Sequence, residues 1–234
     1  MTRAELAQRI EHTILKPESF PADVHKVAAE ATELGCVAVC VAPVWVGRVA
    51  TMLRGSGVRV CTVVGFPHGA NKSTLKAIEA TSSIKDGADE IDVVAHLPNL
   101  LRADVDAARA ELMEIVRAAR STRRDVVIKV IVESALLAQS AGGEPARAEE
   151  LIAAACRAVR ESGCDFIKTS TGFHPAGGAS VDAVKLMKKH NDGLLIKAAG
   201  GIRDLAAAQA LLAAGADRLG MSASVSVINE MLRA

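Results

Sequence analysis

The chain has 234 residues, half of them apolar, and its 28 basic side chains nearly balance its 27 acidic ones, leaving a net charge of +1. This composition is typical of a globular protein with a large core, and the balanced charge, absent tyrosine and scarce other aromatic residues argue against nucleic-acid binding. The charged N-terminus and the lack of any run of roughly 20 apolar residues argue against a signal peptide and a membrane span, so we expect a cytoplasmic chain.

Short β-branched runs alternate along the chain with longer alanine-rich segments, which is typical of parallel α/β proteins. We expect the first few residues to form a short helix that closes the bottom of the fold. The predicted strands, in chain order, are His12–Leu15, Val37–Val41, Val58–Val64, Ile91–Ala95, Val126–Val132, Phe166–Ser170, Leu194–Ala198 and Arg218–Met221.

Helical segments are predicted between these strands. From Asp104 to Arg120 the apolar residues recur at the spacing of one helical face, and Asp104 and Ser180 are suitable N-cap residues. C-terminal caps are expected where a glycine follows a helical run, at Gly35, Gly87, Gly163 and Gly215. Eight such units predict a single (β/α)8 barrel domain over residues 1–234. Because the first strand is short, a doubly wound sheet of seven strands stays open as the alternative.

Two lysines, Lys168 and Lys197, lie near the ends of the sixth and seventh predicted strands. In a barrel of this kind the active site lies at the C-terminal ends of the strands. A lysine amine is nucleophilic only when neutral, and burial beside a second ammonium disfavours the protonated form. The pair therefore predicts a Schiff base with a carbonyl substrate, in which one lysine attacks and the other tunes it.

Two other charged residues interrupt apolar strands. Asp92 lies between Ile91 and Val93, and burying it without a partner would be costly, so we expect an inward ammonium from one of the two lysines to contact it. Lys129, on the fifth predicted strand, likewise needs a partner of opposite charge if it is buried. For Asp92 and Lys129, a structural ion-pair network inside the barrel is the alternative to a role in catalysis.

The ends of the last two strands are rich in glycine and serine. Gly200 and Gly201 follow Lys197, and Gly220 and Ser222 end the eighth strand. Glycine lets backbone N–H groups approach phosphate oxygens, and the loops after strands seven and eight of such barrels commonly bind phosphate. A tight turn alone would explain the glycine pair, but its position after a lysine favours a phosphate site.

Six segments resemble the deoxyribose-phosphate aldolase family. They are Glu11–Pro17, Val64–Pro67, Glu90–Val94, Lys129–Glu133, Lys168–Gly172 and Lys197–Arg203, and they follow the family's order along nearly the whole chain. The resemblance implies a class I aldolase that reversibly cleaves 2-deoxy-D-ribose 5-phosphate to acetaldehyde and D-glyceraldehyde 3-phosphate. It also implies a place in the breakdown of deoxyribose phosphates, and chemistry without a metal or another cofactor.

The resemblance further implies roles for single residues. Lys168 matches the Schiff-base lysine, Lys197 the second lysine that lowers the pKa of the nucleophile, and Asp92 the carboxylate that transfers protons. The residues assigned to substrate or phosphate binding are Thr13, Cys40, Lys129, Gly172, Gly200, Gly201, Gly220 and Ser222.

Some positions depart from the family's pattern. Glu11 stands where aspartate is usual, Ala42 where a polar residue is common, and His96–Asn99 replaces the more usual Asn-Ile-Gly. Some members end in a tyrosine that assists proton transfer at the enamine carbon, whereas this chain contains no tyrosine. We therefore expect that step to run through Lys197, Asp92 and water.

Two other functions stay open on the sequence alone. With Asp92, the loop residues His68, His96 and His174 could form the metal site of a class II aldolase or an epimerase, although no His-x-His or His-Glu-x-x-His spacing supports it. The other is a barrel that binds phosphosugars without catalysis. Because members of the resembled family are often dimers, a homodimer also stays open.

Overall fold

A computed structural model of the chain describes residues 1–231 and contains a closed barrel of eight parallel strands in sequential order. The strands are β1 (Ile10–Ile14), β2 (Ala38–Val41), β3 (Arg59–Val64), β4 (Glu90–Val94), β5 (Val127–Ile131), β6 (Phe166–Lys168), β7 (Leu195–Ala199) and β8 (Arg218–Met221). The predicted (β/α)8 barrel is confirmed. The alternative of an open sheet is wrong, because β1 pairs with both β2 and β8. The last residues of the chain, 232–234, lie outside the described residues.

Helices follow the strands and cover the outside of the barrel. They are α1 (Arg3–Ala7), α2 (Pro21–Leu34), α3 (Val46–Met52), α4 (Ser73–Lys85), α5 (Leu97–Leu101), α6 (Val105–Thr122), α7 (Ser134–Ser140), α8 (Pro145–Glu161), α9 (Val181–His190), α10 (Leu205–Ala213) and α11 (Ser224–Glu230). The predicted first helix is present as α1, which buries Leu6 and Ala7 just before β1 begins.

The helix ends agree with the predicted caps. The Asp104 carboxylate accepts the N–H of Ala107 at 3.0 Å at the start of α6, and the Ser180 hydroxyl accepts the N–H of Ala183 at 3.1 Å at the start of α9. Gly35 ends α2 in the left-handed conformation, with φ of 71°. These caps fix where each helix leaves the barrel.

Two strands differ by two residues from a predicted bound, and the others differ by at most one. β1 begins two residues before the predicted start, because the buried Glu11 is ion-paired inside the barrel and does not end the strand. β6 ends at Lys168, before the predicted Ser170, because the Thr169 hydroxyl accepts the N–H of Ala199 at 3.0 Å in place of a backbone carbonyl. Both differences come from side-chain contacts that the local pattern does not reveal.

The two faces of the strands have opposite character. On β4, Ile91 and Val93 face outward and are fully buried under the helices, whereas Glu90 and Asp92 alternate with them and face the barrel interior. Lys129 on β5 is likewise fully buried. The apolar core therefore lies between sheet and helices, and the barrel interior holds the charged side chains.

Candidate active site

Asp92, Lys168 and Lys197 meet inside the barrel, as the sequence predicts. The Nζ atoms of Lys168 and Lys197 lie 2.8 and 2.6 Å from the same oxygen of Asp92, Oδ2. The two lysines are partners in the register of β6 and β7, which places them side by side. The side chain of Lys168 is 4% exposed and that of Asp92 fully buried. Two amines thus share one carboxylate oxygen in a site with little access to water.

The second oxygen of Asp92 is also occupied. Oδ1 accepts Lys129 Nζ at 3.0 Å and the thiol of Cys61 at 3.3 Å. Burial alone would raise the pKa of Asp92, but the ammonium groups of Lys129, Lys168 and Lys197 outweigh it and hold the pKa well below its ordinary range. Burial raises the pKa of Cys61 well above its ordinary value, which keeps this residue a thiol donor. Asp92 is therefore ionised and accepts hydrogen bonds from four side chains.

Lys197 has a second carboxylate partner in Glu11, to which its Nζ also donates. Burial opposes a charge on Lys197, yet the carboxylates of Asp92 and Glu11 outweigh that effect and raise the pKa of the ammonium above its ordinary value. Lys197 is therefore protonated in the resting site, beside Lys168. The sequence singled out Glu11 only as a departure from the family's aspartate.

Lys129 belongs to an ion-pair layer of the barrel interior. Its Nζ lies 2.6 Å from Glu90 Oε2 and 3.4 Å from Glu11 Oε1, and Arg218 Nη1 lies 2.6 Å from the same Glu90 oxygen. Nothing in this geometry supports the prediction that Lys129 binds substrate, because its ammonium is fully buried among carboxylates. The alternative of an ion-pair network inside the barrel describes Lys129 better.

Sequence reasoning gave no role to Glu90, Arg218 or Cys61. A signal existed for Glu90, since strand alternation puts it on the same face as Asp92. Arg218 is the first residue of β8, and its guanidinium lies 5.0 Å from the centre of the Phe166 ring. The local sequence pattern does not predict that contact. Cys61 contacts Asp92 directly, and Arg218 and Glu90 are connected to Asp92 through Lys129.

Three of the predicted phosphate-site glycines lie after β6 and β7. Gly172, Gly200 and Gly201 have φ angles of 82°, 90° and 81°, which favour glycine. A Cβ on Gly200 would lie 3.1 Å from the Cα of Gly178 and 3.2 Å from that of Gly172, so the two loops pack backbone against backbone. Ser222, after β8, is exposed. Backbone N–H groups with so little side chain around them are suited to bind an anion.

Glu133, two residues after the end of β5, supports the loop that follows β6. It is a buried residue with φ of 50°, an uncommon conformation for a residue with a side chain, and its Oε1 accepts the N–H of Thr171 at 2.8 Å. No role for Glu133 is predicted from the sequence. The contact fixes the loop that carries Gly172.

The other predicted binding residues lie on neighbouring strands. Thr13 and Cys40 are register partners on β1 and β2, and the thiols of Cys40 and Cys61 lie within 4.8 Å of each other and of an Asp92 oxygen. Gly220 faces Lys197, because a Cβ there would lie 3.0 Å from Lys197 Cε. The missing side chain of Gly220 therefore makes room for the second lysine.

The histidines of the metal alternative do not converge. Within residues 1–231, the groups of three His, Cys, Asp or Glu donors that lie within 4.8 Å of one another are Cys40, Cys61 and Asp92, and Glu11, Cys61 and Glu90. The N–H of His96 donates to Glu111, and the Nδ1 of His174 accepts the N–H of Ala176 at 3.1 Å. The proposed set of histidines around Asp92 is therefore wrong for this part of the chain.

A closed (β/α)8 barrel that gathers two lysines and a carboxylate on its inner face belongs to a class of fold whose enzymes carry their active sites at the C-terminal end of the barrel. Comparison with known proteins gives the particular family. A model of the DeoC/LacD family aldolases matches residues 6–225. The chain belongs to this family and is an aldolase, a carbon–carbon lyase.

Curated relatives and solved structures agree with this assignment. Proteins named deoxyribose-phosphate aldolase from Kocuria rhizophila and Mycobacterium tuberculosis are 48% and 49% identical over 229 and 230 residues, covering 97% of this chain and 97% and 96% of theirs. The tetrameric deoxyribose phosphate aldolase of Aeropyrum pernix has a TM-score of 0.87 at 30% identity, over 99% of this chain and 92% of that one. The aldolase QR15 has a TM-score of 0.85 at 37% identity, over 97% and 96%. Among residues 1–231, no helix has the length and apolar character needed to cross a membrane.

Proposed function

We propose that this chain is a class I aldolase that reversibly cleaves 2-deoxy-D-ribose 5-phosphate to D-glyceraldehyde 3-phosphate and acetaldehyde, with Lys168 as the Schiff-base residue. The observation that carries the proposal is the unequal environment of the two lysines that share Asp92 Oδ2. Lys197 has a second carboxylate in Glu11, whereas Asp92 is the only carboxylate within 4 Å of Lys168 Nζ in residues 1–231. Neutralising Lys168 therefore leaves fewer carboxylate contacts without a cation than neutralising Lys197 would. The names of the relatives supply the substrate.

The reaction begins when the neutral amine of Lys168 attacks the C1 aldehyde of the open-chain sugar. The carbinolamine that forms must lose its hydroxyl as water, which requires a proton donor within reach. Lys197 is suited to donate and Asp92 to relay that proton, since both lie within 3 Å of one another beside Lys168. The product of this step is a protonated imine at C1.

The imine then withdraws the electrons of the C2–C3 bond. A base removes the proton of the C3 hydroxyl, the bond breaks, C3 becomes the aldehyde of glyceraldehyde 3-phosphate, and C1 and C2 remain as a neutral enamine on Lys168. Protonation at C2 and addition of water release acetaldehyde. Asp92 is the carboxylate available to serve these transfers, because it stays in contact with Lys129 and Lys197 after Lys168 has become the imine.

The phosphate is assigned to the loops after β6, β7 and β8, at Gly172, Gly200, Gly201 and Ser222. Binding the phosphate there would fix the sugar at a distance from the bond that breaks and contribute binding energy to the reaction. Thr13 and Cys40 are assigned to the wall of the pocket beside Asp92. Lys197 and Asp92 with water would also complete proton transfer at the enamine carbon without a tyrosine.

We further propose that residues 1–234 form one barrel domain that acts in the cytoplasm as a homo-oligomer. The strands of the barrel run from Ile10 to Met221, and all five cysteines are buried and unpaired, as expected in a reducing compartment. The Aeropyrum pernix relative is a tetramer, which favours self-association of this chain as well.

The test is to trap the Schiff base. The protein is incubated with acetaldehyde and then borohydride, the modified peptide is mapped by mass spectrometry, and Lys168→Ala serves as the matched control. We expect an ethyl group on Lys168 that is absent from the control. A protein that cleaves deoxyribose 5-phosphate yet leaves Lys168 unmodified would contradict the class I mechanism.

A further inference from the structure

A buried lysine lies outside the barrel, between two helices. Lys76 on α4 is fully buried, and its Nζ donates to the carbonyl of Val94 at 2.7 Å and to Glu111 Oε1 at 2.5 Å. Glu111 lies on α6, and its second oxygen accepts the N–H of His96 at 3.1 Å. Lys76 and Glu111, which we call the α4–α6 ion pair, therefore bind the backbone on either side of Ala95.

That loop continues the strand that carries Asp92. Val94 is the last residue of β4, two positions after Asp92, and on the same face of the strand. His96 precedes α5 and begins the turn away from the barrel. A hydrogen bond to the carbonyl of Val94 and another from the N–H of His96 restrain the backbone on both sides of Ala95. The α4–α6 ion pair thus sets the end of β4 at the mouth of the site.

The same lysine also supports the neighbouring loop. Its methylene groups pass beside Gly65, where a Cβ would lie 2.8 Å from Lys76 Cε, just after β3. The next residue, Phe66, packs its ring edge-on against Phe173 with 5.1 Å between centroids, beside Gly172. Lys76 therefore touches the loops that border Asp92 at one end of the site and the predicted phosphate site at the other.

Stability alone does not account for this pair. Burying two charges carries a large desolvation cost, and an apolar pair of the same volume is often as stable or more stable. Unlike apolar side chains, the charged pair makes directional hydrogen bonds, and those with the carbonyl of Val94 and the N–H of His96 fix the position of the backbone there. We propose that Lys76 and Glu111 are positioning residues that align Asp92 with the two lysines for proton transfer. This inference rests on the proposed function and extends it to residues that do not touch the substrate.

The experiment compares kcat, KM and the initial rate of imine trapping in wild type and variants. Lys76→Met/Glu111→Gln replaces the pair by neutral side chains of similar length and leaves an acceptor for the N–H of His96. Glu111→Asp keeps both charges but shortens one arm. Lys85→Met, an exposed lysine in the last turn of the same helix, is the matched control.

We expect kcat and the trapping rate with acetaldehyde to fall about tenfold in the double variant and by a smaller factor in Glu111→Asp, with KM changed less than about threefold. Lys85→Met should match wild type. Acetaldehyde carries no phosphate, so its trapping rate reports on Asp92 and the lysines alone. A merely structural role would lower the melting temperature and leave both rates of the folded protein unchanged, and that result in either variant would overturn the inference. Wild type that fails to cleave the sugar phosphate would instead contradict the proposed function.

Discussion

At the scale of single residues, the two lysines of the site differ in the number of carboxylates that they contact. Both amines contact Asp92 Oδ2, but Glu11 adds a second anion to Lys197 alone. Loss of the proton from Lys197 would leave Glu11 and Asp92 facing each other across a neutral amine in a buried site, which is costly. Loss of the proton from Lys168 leaves Asp92 with Lys129 and Lys197. This asymmetry supports the proposal that Lys168 is the nucleophile.

Gly220 offers a test of how closely Lys197 must be held. In Gly220→Ala, the new methyl group would lie 3.0 Å from Lys197 Cε and 3.2 Å from the Cβ of Ala199, so the lysine must shift by a few tenths of an ångström. We expect kcat and the rate of acetaldehyde trapping to fall about tenfold, equivalent to about 1.4 kcal/mol of barrier, because the contact of Lys197 with Asp92 lengthens. Steady-state kinetics and trapping measure this.

A separate outcome would favour the predicted phosphate role of Gly220. In that case KM for the phosphorylated sugar should rise in Gly220→Ala while the trapping rate with acetaldehyde stays at the wild-type value. The control is Gly193→Ala, at a turn before β7 where an added Cβ has nothing within 4 Å. Because Gly193 has φ of 95°, this control should lower stability without changing the trapping rate of the folded protein.

At the scale of elements, local sequence patterns predict the bounds of an element well where nearby residues form the hydrogen bonds of its terminal backbone groups. α6 follows its predicted bounds closely, because Asp104 caps its first turn and its apolar face packs on the barrel. The strands are predicted in type and order, but β6 is shorter than its pattern, because Thr169 hydrogen-bonds sideways to β7. A helix end is coded within four residues, whereas a strand end depends on its neighbour.

The cap of α6 should contribute to stability and not to catalysis. Asp104→Ala removes the acceptor for the N–H of Ala107, 3.0 Å away, and we expect the free energy of unfolding to fall by about 1 kcal/mol. Asp106→Ala, two residues further on, removes an exposed contact with Arg109 and a first-turn carboxylate but no capping hydrogen bond, and should cost less than about 0.5 kcal/mol. Urea unfolding measures both, and kcat should stay at the wild-type value in each. Equal losses in the two variants would contradict the capping argument.

At the scale of the whole molecule, the sequence predicts that Asp92 meets the two lysines, but it does not predict the ion pairs beneath them. Alternation on β4 and β6 was enough to bring Asp92 towards Lys168, since both strands end at the same mouth. The contacts of Glu90 with Lys129 and Arg218 depend on the level that each strand occupies after the barrel closes, and pairing register is not coded locally. Nothing in the sequence distinguishes Lys76, and the packing of α4 against α6 buries it.

The ion-pair layer beneath Asp92 should make the stability of the barrel depend on pH. Burial alone would raise the pKa of Glu90, but Lys129 and Arg218 lower it to about 2, against an ordinary value of about 4.3. Because this folded-state pKa is depressed, the stabilisation, on the order of 3 kcal/mol, is present above about pH 4.3 and is lost as the pH falls towards 2. Glu90→Gln should therefore be less stable than wild type at pH 7, and urea unfolding should show the difference narrowing between pH 5 and pH 3. Glu150→Gln, which removes an exposed partner of Arg147, should follow the wild-type curve. A difference for Glu90→Gln that stays constant over this range would mean that the lost stability comes from packing and not from the charge of Glu90.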